Sequence, residues 1–243
     1  MRLYLYTSEK GLLSILDKKA IIVSHPWATN DITEGVAQDQ NKQTHDVKKY
    51  GYICMSAKGL SPAMWGYYAD RGKGACLVFD LPDEWVGSYE PFTLDGKETY
   101  LVEVKYGEER SQSQDPIELL SLKSKDWQME KEYRFIIKEP QKSAKIESES
   151  GEDTRIVSED LYRRLAGVIL GPACSKEPLE ITARHPHLKN KVIKADIDKT
   201  SFDFTLDGLK IPPLKQDTKK SIPSHTSNSD IIPVPYYNPD IIL

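Results

Sequence analysis

The sequence predicts an α+β fold with many strands and few helices. Three observations predict it. Short β-rich runs recur from the first residues to about residue 206, separated by polar, Gly- or Pro-containing turns. Only a few segments carry a helix start signal followed by helical spacing. Strand and helix signals are interspersed without the regular βαβ alternation of a parallel sheet. Residues 1–209 therefore read as a single α+β domain, and residues 210–243 as an extended or disordered tail. The tail holds six of the fifteen prolines, and a proline-dense segment cannot sustain a helix or a strand ladder.

In chain order, Arg2 to Thr7 is β-rich and alternating. Ser8 is suited to cap a helix from Glu9 to about Asp17, with Leu12, Leu13, Ile15 and Leu16 on its buried face. Strands are expected at Ala20 to Val23, Tyr50 to Ser56, Gly74 to Asp80, Tyr100 to Tyr106, Glu130 to Ile137, Val168 to Leu170, Val192 to Ala195 and Phe202 to Leu206. Pro26 to Glu34 reads as a loop. Short helices are expected at Pro62 to Asp70, where Pro62 suits the first turn, at Ile117 to Leu122, and from a Ser175 cap to about Arg184. Glu108 to Pro116 and Glu139 to Asp153 are charged and read as hairpin tips or loops.

Composition excludes some function classes. No run of about 18 apolar residues occurs, so a membrane-spanning helix is not expected. The first residues lack the apolar core of a signal peptide, which points to the cytoplasm. Lys plus Arg number 33 against 37 Asp plus Glu, a net charge of -4, so nucleic acid is not favoured as a partner. Cys54, Cys76 and Cys174 are odd in number and lie in apolar stretches, where they read as small buried hydrophobes. The sequence carries no HExxH, no CxxC, no P-loop and no GxSxG, and no metal is expected.

Two segments carry candidate chemistry. If residues 130–137 form one strand, Glu130, Glu132 and Arg134 share a face at successive pleats. That face is either solvated, with an ion pair worth at most about 1 kcal/mol, or a polar cleft floor in which Arg134 holds one carboxylate and another is free. In the second segment, Met64, Trp65, Tyr67 and Tyr68 are too many large side chains for one helix face. One stripe packs inward and Tyr67 points elsewhere, either simply exposed or available to stack on a planar ligand.

These segments, with Tyr4-Leu5-Tyr6-Thr7-Ser8, Asn30-Asp31, Glu34, Cys54-Met55-Ser56, the Trp127/Glu130/Glu132/Tyr133/Arg134 block and Val168-Ile169-Leu170-Gly171-Pro172, resemble the bacterial family called domain of unknown function 2971. The resemblance spans roughly residues 3–207. The family label carries no established activity.

A second resemblance is to NAD-dependent ADP-ribosyltransferases, through the strand–helix opening and the late carboxylate. It implies a split two-sheet β core with a few peripheral helices and an NAD cleft between the sheets. It also implies ADP-ribosyl transfer or NAD cleavage, as in a toxin or phage-defence effector, with a nucleotide-type small molecule as ligand and a macromolecular acceptor of unknown identity. Glu132 or Glu130 would supply the catalytic carboxylate, with Glu132 preferred. Tyr67 or Tyr68 would supply a stacking ring, Ser56 a hydroxyl, and Arg134 a group that orients the carboxylate or pairs with phosphate. Tyr6, Thr7 and Trp65 complete the implied NAD-binding set. Leu5 stands where histidine-type transferases carry histidine. Either Tyr6 or Arg2 substitutes for it, or the site is inactive, or the analogy fails. The alternative is a non-catalytic module that binds a nucleotide or protein through the same cleft.

Overall fold

The computed structural model describes residues 1–26, 47–85, 90–139, 142–148, 151–201 and 203–206. They belong to one compact unit. The tail from residue 210, and Asn30, Asp31 and Glu34, lie outside the described residues.

The chain opens with β1 (Arg2–Thr7), then Ser8 and α1 (Glu9–Lys18). Ser8 adopts extended backbone and its hydroxyl accepts the Gly11 amide at 3.1 Å, satisfying one of the donors a helix start leaves open. Leu12, Ile15 and Leu16 are buried, and Lys19 ends the helix in the left-handed conformation. Then come β2 (Ile21–Ile22), β3 (Tyr50–Ser56), α2 (Pro62–Tyr68), β4 (Ala75–Asp80), β5 (Phe92–Leu94), β6 (Lys97–Glu103) and β7 (Lys105–Gly107). The second half adds α3 (Pro116–Leu120), β8 (Leu122–Ser124), β9 (Glu132–Lys138), β10 (Lys142–Ser148), β11 (Gly151–Ser158) and α4 (Glu159–Tyr162). It closes with β12 (Leu165–Leu170), α5 (Pro178–Arg184), β13 (Val192–Ile197) and β14 (Phe204–Leu206). The fold is α+β, as the sequence predicts.

Nine strands form one mixed sheet in the order β14-β13-β12-β4-β1-β3-β9-β6-β5. Only β12 and β13 are parallel within it. A buried, apolar run such as Ala75-Cys76-Leu77-Val78-Phe79 suits a strand covered on both faces. Leu77 and Phe79 pack with Leu12 and Leu16 of α1 on one side. Cys76 and Val78 pack with Met64 and Trp65 of α2 on the other. The strands at the sheet's centre are unevenly joined. β1 pairs with β4 along its whole length, from Arg2↔Asp80 to Thr7↔Ala75, and β3 pairs with β9 from Tyr50↔Lys138 to Ser56↔Glu132. Between β1 and β3 the register holds a single pair, Tyr4↔Ser56.

Several expectations need correction. Glu130 is not on β9: it ends a 3-10 turn, Lys125–Glu130, and Lys131 at φ 47° swings the chain into the strand. Glu130 therefore does not alternate with Glu132 on a common pleat. Ser175 does not cap α5. Its amide and hydroxyl instead donate to the Glu9 carboxylate, and the Glu177 amide donates to Glu180. The charged stretch 139–153 contributes strand, because β10 and β11 pair antiparallel. The helix expected at 117–122 stops at Leu120, and Leu122 begins β8, which pairs parallel with β7. Cys76 and Cys174 are buried, whereas Cys54 is only partly so. Among the described residues no helix is long and apolar enough to cross a membrane.

Candidate functional site

A cavity of ≈ 260 Å³ lies where β1 and β3 part. Tyr4, Leu5 and Tyr6 line one wall, and Ile53, Cys54, Met55 and Ser56 the other. Ile22 and Ser24 contribute from the β2 segment, where Ser24 bridges to Tyr52 of β3. Met64 and Tyr68 of α2 reach it, as do Lys123, Glu130 and Glu132. Register explains much of this assembly. Tyr4 faces Ser56, and Ser56 faces Glu132, so the three lie in one row across β1, β3 and β9.

The charged end of the cavity is almost dry. Glu130 and Glu132 are each 3% exposed and Arg134 is fully buried. Arg134 and Glu132 lie two apart on β9, hence on one face. The guanidinium grips the carboxylate in bidentate fashion, Nε to Oε1 at 2.7 Å and Nη2 to Oε2 at 3.0 Å. Its Nη1 donates to the Leu120 carbonyl at 2.7 Å, and its plane lies over the Tyr52 ring at 4.8 Å. Arg134 thus sits behind the cavity wall and fixes Glu132 from the rear.

Lys123, on β8, joins the two carboxylates. Its Nζ donates to Glu130 Oε2 at 2.6 Å and to Glu132 Oε2 at 3.1 Å. The Tyr68 hydroxyl donates to Glu130 Oε1. The two acids respond in opposite ways. Burial would raise the Glu132 carboxyl, but the Arg134 guanidinium, followed by Lys123, holds it down at about 2. For Glu130 burial prevails over the Lys123 and Tyr68 hydrogen bonds, and the carboxyl is pushed above its ordinary value. One ionised carboxylate and one acid with raised proton affinity therefore share a cavity.

Of the sequence-predicted residues, Glu130, Glu132, Tyr6, Ser56 and Tyr68 come together here. Two of them bond to backbone next to the cavity. The Ser56 hydroxyl donates to the Glu130 carbonyl at 2.6 Å and accepts the Lys58 amide at 3.0 Å. The Tyr6 hydroxyl donates to the Lys58 carbonyl at 2.7 Å and accepts the Ser61 amide at 3.3 Å. Both fasten the turn after β3, and Ser56 also ties it to the turn before β9. Gly59 in that turn lies flat on the Tyr4 ring, since a Cβ there would come 2.3 Å from Tyr4 Cε1.

The other four do not line the cavity. Trp65 is a core residue, 2% exposed and edge-on to Tyr6 at 5.4 Å. Thr7 closes β1 opposite Ala75, with its carbonyl against Gly74, where a Cβ would approach to 2.1 Å. Tyr67 is 66% exposed, and Arg134 lies behind Glu132. Sequence reasoning missed Lys123, Cys54 and Ser24. Nothing local distinguishes Lys123 from the chain's other basic residues, because its role arises only when β8 pairs with β7. Among the described residues no group of three or more His, Cys, Asp or Glu is placed to hold a metal ion.

The model of the family described as protein of unknown function DUF2971 matches residues 64–135. The match runs from α2 through Arg134. It includes Tyr68, Lys123, Glu130 and Glu132, in agreement with the resemblance drawn from the sequence blocks. No curated protein matches the chain. No solved structure matches it either.

Proposed function

We propose that the cavity between β1 and β3 binds the nicotinamide–ribose half of an NAD-type dinucleotide and that the protein cleaves the bond joining the two. The observation that carries this reading is the convergence of two buried carboxyls, Glu132 held ionised by Arg134 and Glu130 with raised proton affinity, in a cavity walled by Tyr4 and Tyr68. The seam at Tyr4↔Ser56 divides the nine strands into two arms, which supports the split-sheet core of an ADP-ribosyltransferase-like fold.

The chemistry follows from the charges. When the C1′–N bond breaks, nicotinamide leaves as a neutral base with the bonding pair, and the ribose becomes oxocarbenium-like. Glu132, held ionised by Arg134, stabilises that cation and accepts a hydrogen bond from a ribose hydroxyl. The oxygen of water or of a macromolecular acceptor then bonds to C1′ and passes its proton to the Glu130 carboxylate, whose raised proton affinity suits a base. Tyr68 presents a ring beside the nicotinamide plane. A cytoplasmic effector role, in a toxin or in phage defence, fits this reaction.

Incubation of the protein with NAD labelled in its adenine or nicotinamide moiety, with and without cell lysate, tests the proposal. Free nicotinamide with ADP-ribose means hydrolysis, and label on macromolecule means transfer. NAD recovered intact sinks it. A non-catalytic nucleotide- or protein-binding module is the second reading. It is favoured by Leu5, an apolar side chain on the cavity wall, and by the occupation of both Glu132 oxygens. Binding of NAD without turnover would select it.

A further inference from the structure

The cavity is smaller than its proposed ligand. At ≈ 260 Å³ it falls below the roughly 300–1,000 Å³ of pockets that enclose a whole drug-sized ligand. A dinucleotide that places one half inside must leave the other outside. Beside the cavity's aromatic lining stand two further rings that do not line it. Tyr68 lines the cavity, and the next ring on α2, Tyr67, lies 6.4 Å from it between centroids. Tyr67 also meets the Trp127 indole at 6.5 Å, edge to face, and Trp127 in turn lies 5.0 Å beneath the Lys123 ammonium inside. Met64 and Trp65 of the same helix are buried, whereas Tyr67 is 66% exposed. Two rings linked to the cavity by Tyr68 and Lys123, one of them open to solvent, suit a flat apolar partner.

We infer that the exposed Tyr67 ring, propped edge to face by Trp127, is a stacking platform outside the cavity that holds the adenine ring of a dinucleotide whose other half enters the cavity. The inference rests on the proposed function. It assigns to Tyr67 a specificity role, selecting dinucleotides over mononucleotides, that the cavity itself cannot supply. Base–aromatic stacking tolerates different bases, so other purine dinucleotides would also be held.

Calorimetric titration of the full chain with NAD and with nicotinamide mononucleotide tests it. Tyr67→Ala is expected to weaken NAD about tenfold while leaving nicotinamide mononucleotide unchanged. Tyr67→Phe, which keeps the ring, should retain NAD affinity. The side chain is exposed, so the variants should fold, which near-ultraviolet circular dichroism checks. If Tyr67→Ala leaves both affinities unchanged, or lowers both equally, the platform is refuted and the cavity assignment stands. If the wild-type chain binds neither compound, the cavity assignment falls and the platform falls with it.

Discussion

Glu130 and Glu132 are bonded to the same ammonium, Lys123 Nζ, at 2.6 and 3.1 Å, yet one has a raised proton affinity and the other a lowered one. The difference comes from Arg134. It grips Glu132 with two hydrogen bonds, whereas Glu130 receives, besides the lysine, the neutral hydroxyl of Tyr68. Two carboxylates of the same chemistry thus acquire separate roles from what stands behind each.

Removing the shared cation should be costly. Lys123→Met leaves two buried carboxylates facing each other, and breaking a buried ion pair from one side costs about 3–5 kcal/mol. Urea unfolding of the variant should show a free energy of unfolding lowered by that amount. A change below about 1 kcal/mol would mean that the ammonium is not buried between them in solution.

The two acids should also give opposite pH dependences of stability. Glu132 has a folded value of about 2 against an ordinary 4.5. Its contribution is therefore present above 4.5 and is lost as pH falls from 4.5 toward 2. Glu130 is raised, so its contribution is complete below 4.5 and is lost as pH rises through its folded value. Thermal melts from pH 2.5 to 8 should show Glu132→Gln removing part of the acid-side loss. Glu130→Gln should improve, relative to wild type, as pH rises. Parallel curves for all three proteins would contradict the assignment.

Activity should divide along the same line. Glu132→Gln removes the charge opposite the developing cation and is expected to lower NAD turnover by about 10²–10³-fold, with binding little changed. Glu130→Gln is expected to alter the pH profile of turnover more than its maximum. Unaltered turnover in Glu132→Gln, once NAD cleavage is demonstrated, would remove Glu132 from the chemistry.

Two glycines provide a test of the surrounding geometry. Gly59→Ala drives a methyl group into the Tyr4 ring and should cost about 1–3 kcal/mol, as overpacking does. Gly66, inside α2, has nothing within 4 Å of a Cβ, so Gly66→Ala should stabilise by about 0.5–1 kcal/mol. Differential scanning calorimetry on the two variants reads both signs.

What was legible in the sequence was local. Ser8 before a periodic apolar face located α1, and the run from Tyr50 to Ser56 located β3 to the residue. Arg134 beside Glu132 followed from strand period alone. The strand period places Glu130 on β9, but a single left-handed residue, Lys131, breaks the alternation, and lysine gives no warning of that conformation in the way glycine would. Lys123 was invisible for a different reason. Its partners are fixed by the pairing of β8 with β7 and by the turn before β9, contacts that no window of sequence contains. Helical spacing alone sets Tyr67 apart from the inward stripe of α2, and Tyr67 is exposed.

The seam between β1 and β3 has one more consequence. A continuous ladder would weld the two arms into one plate, but β1 and β3 share the single pair Tyr4↔Ser56, and farther along β3 it is Ser24 that exchanges both backbone hydrogen bonds with Tyr52. The room for a guest is therefore made by strand pairing, not by short side chains. Replacing Leu5 would change what that wall presents while leaving the opening in place, because β1 stays fixed to β4 from Arg2 to Thr7.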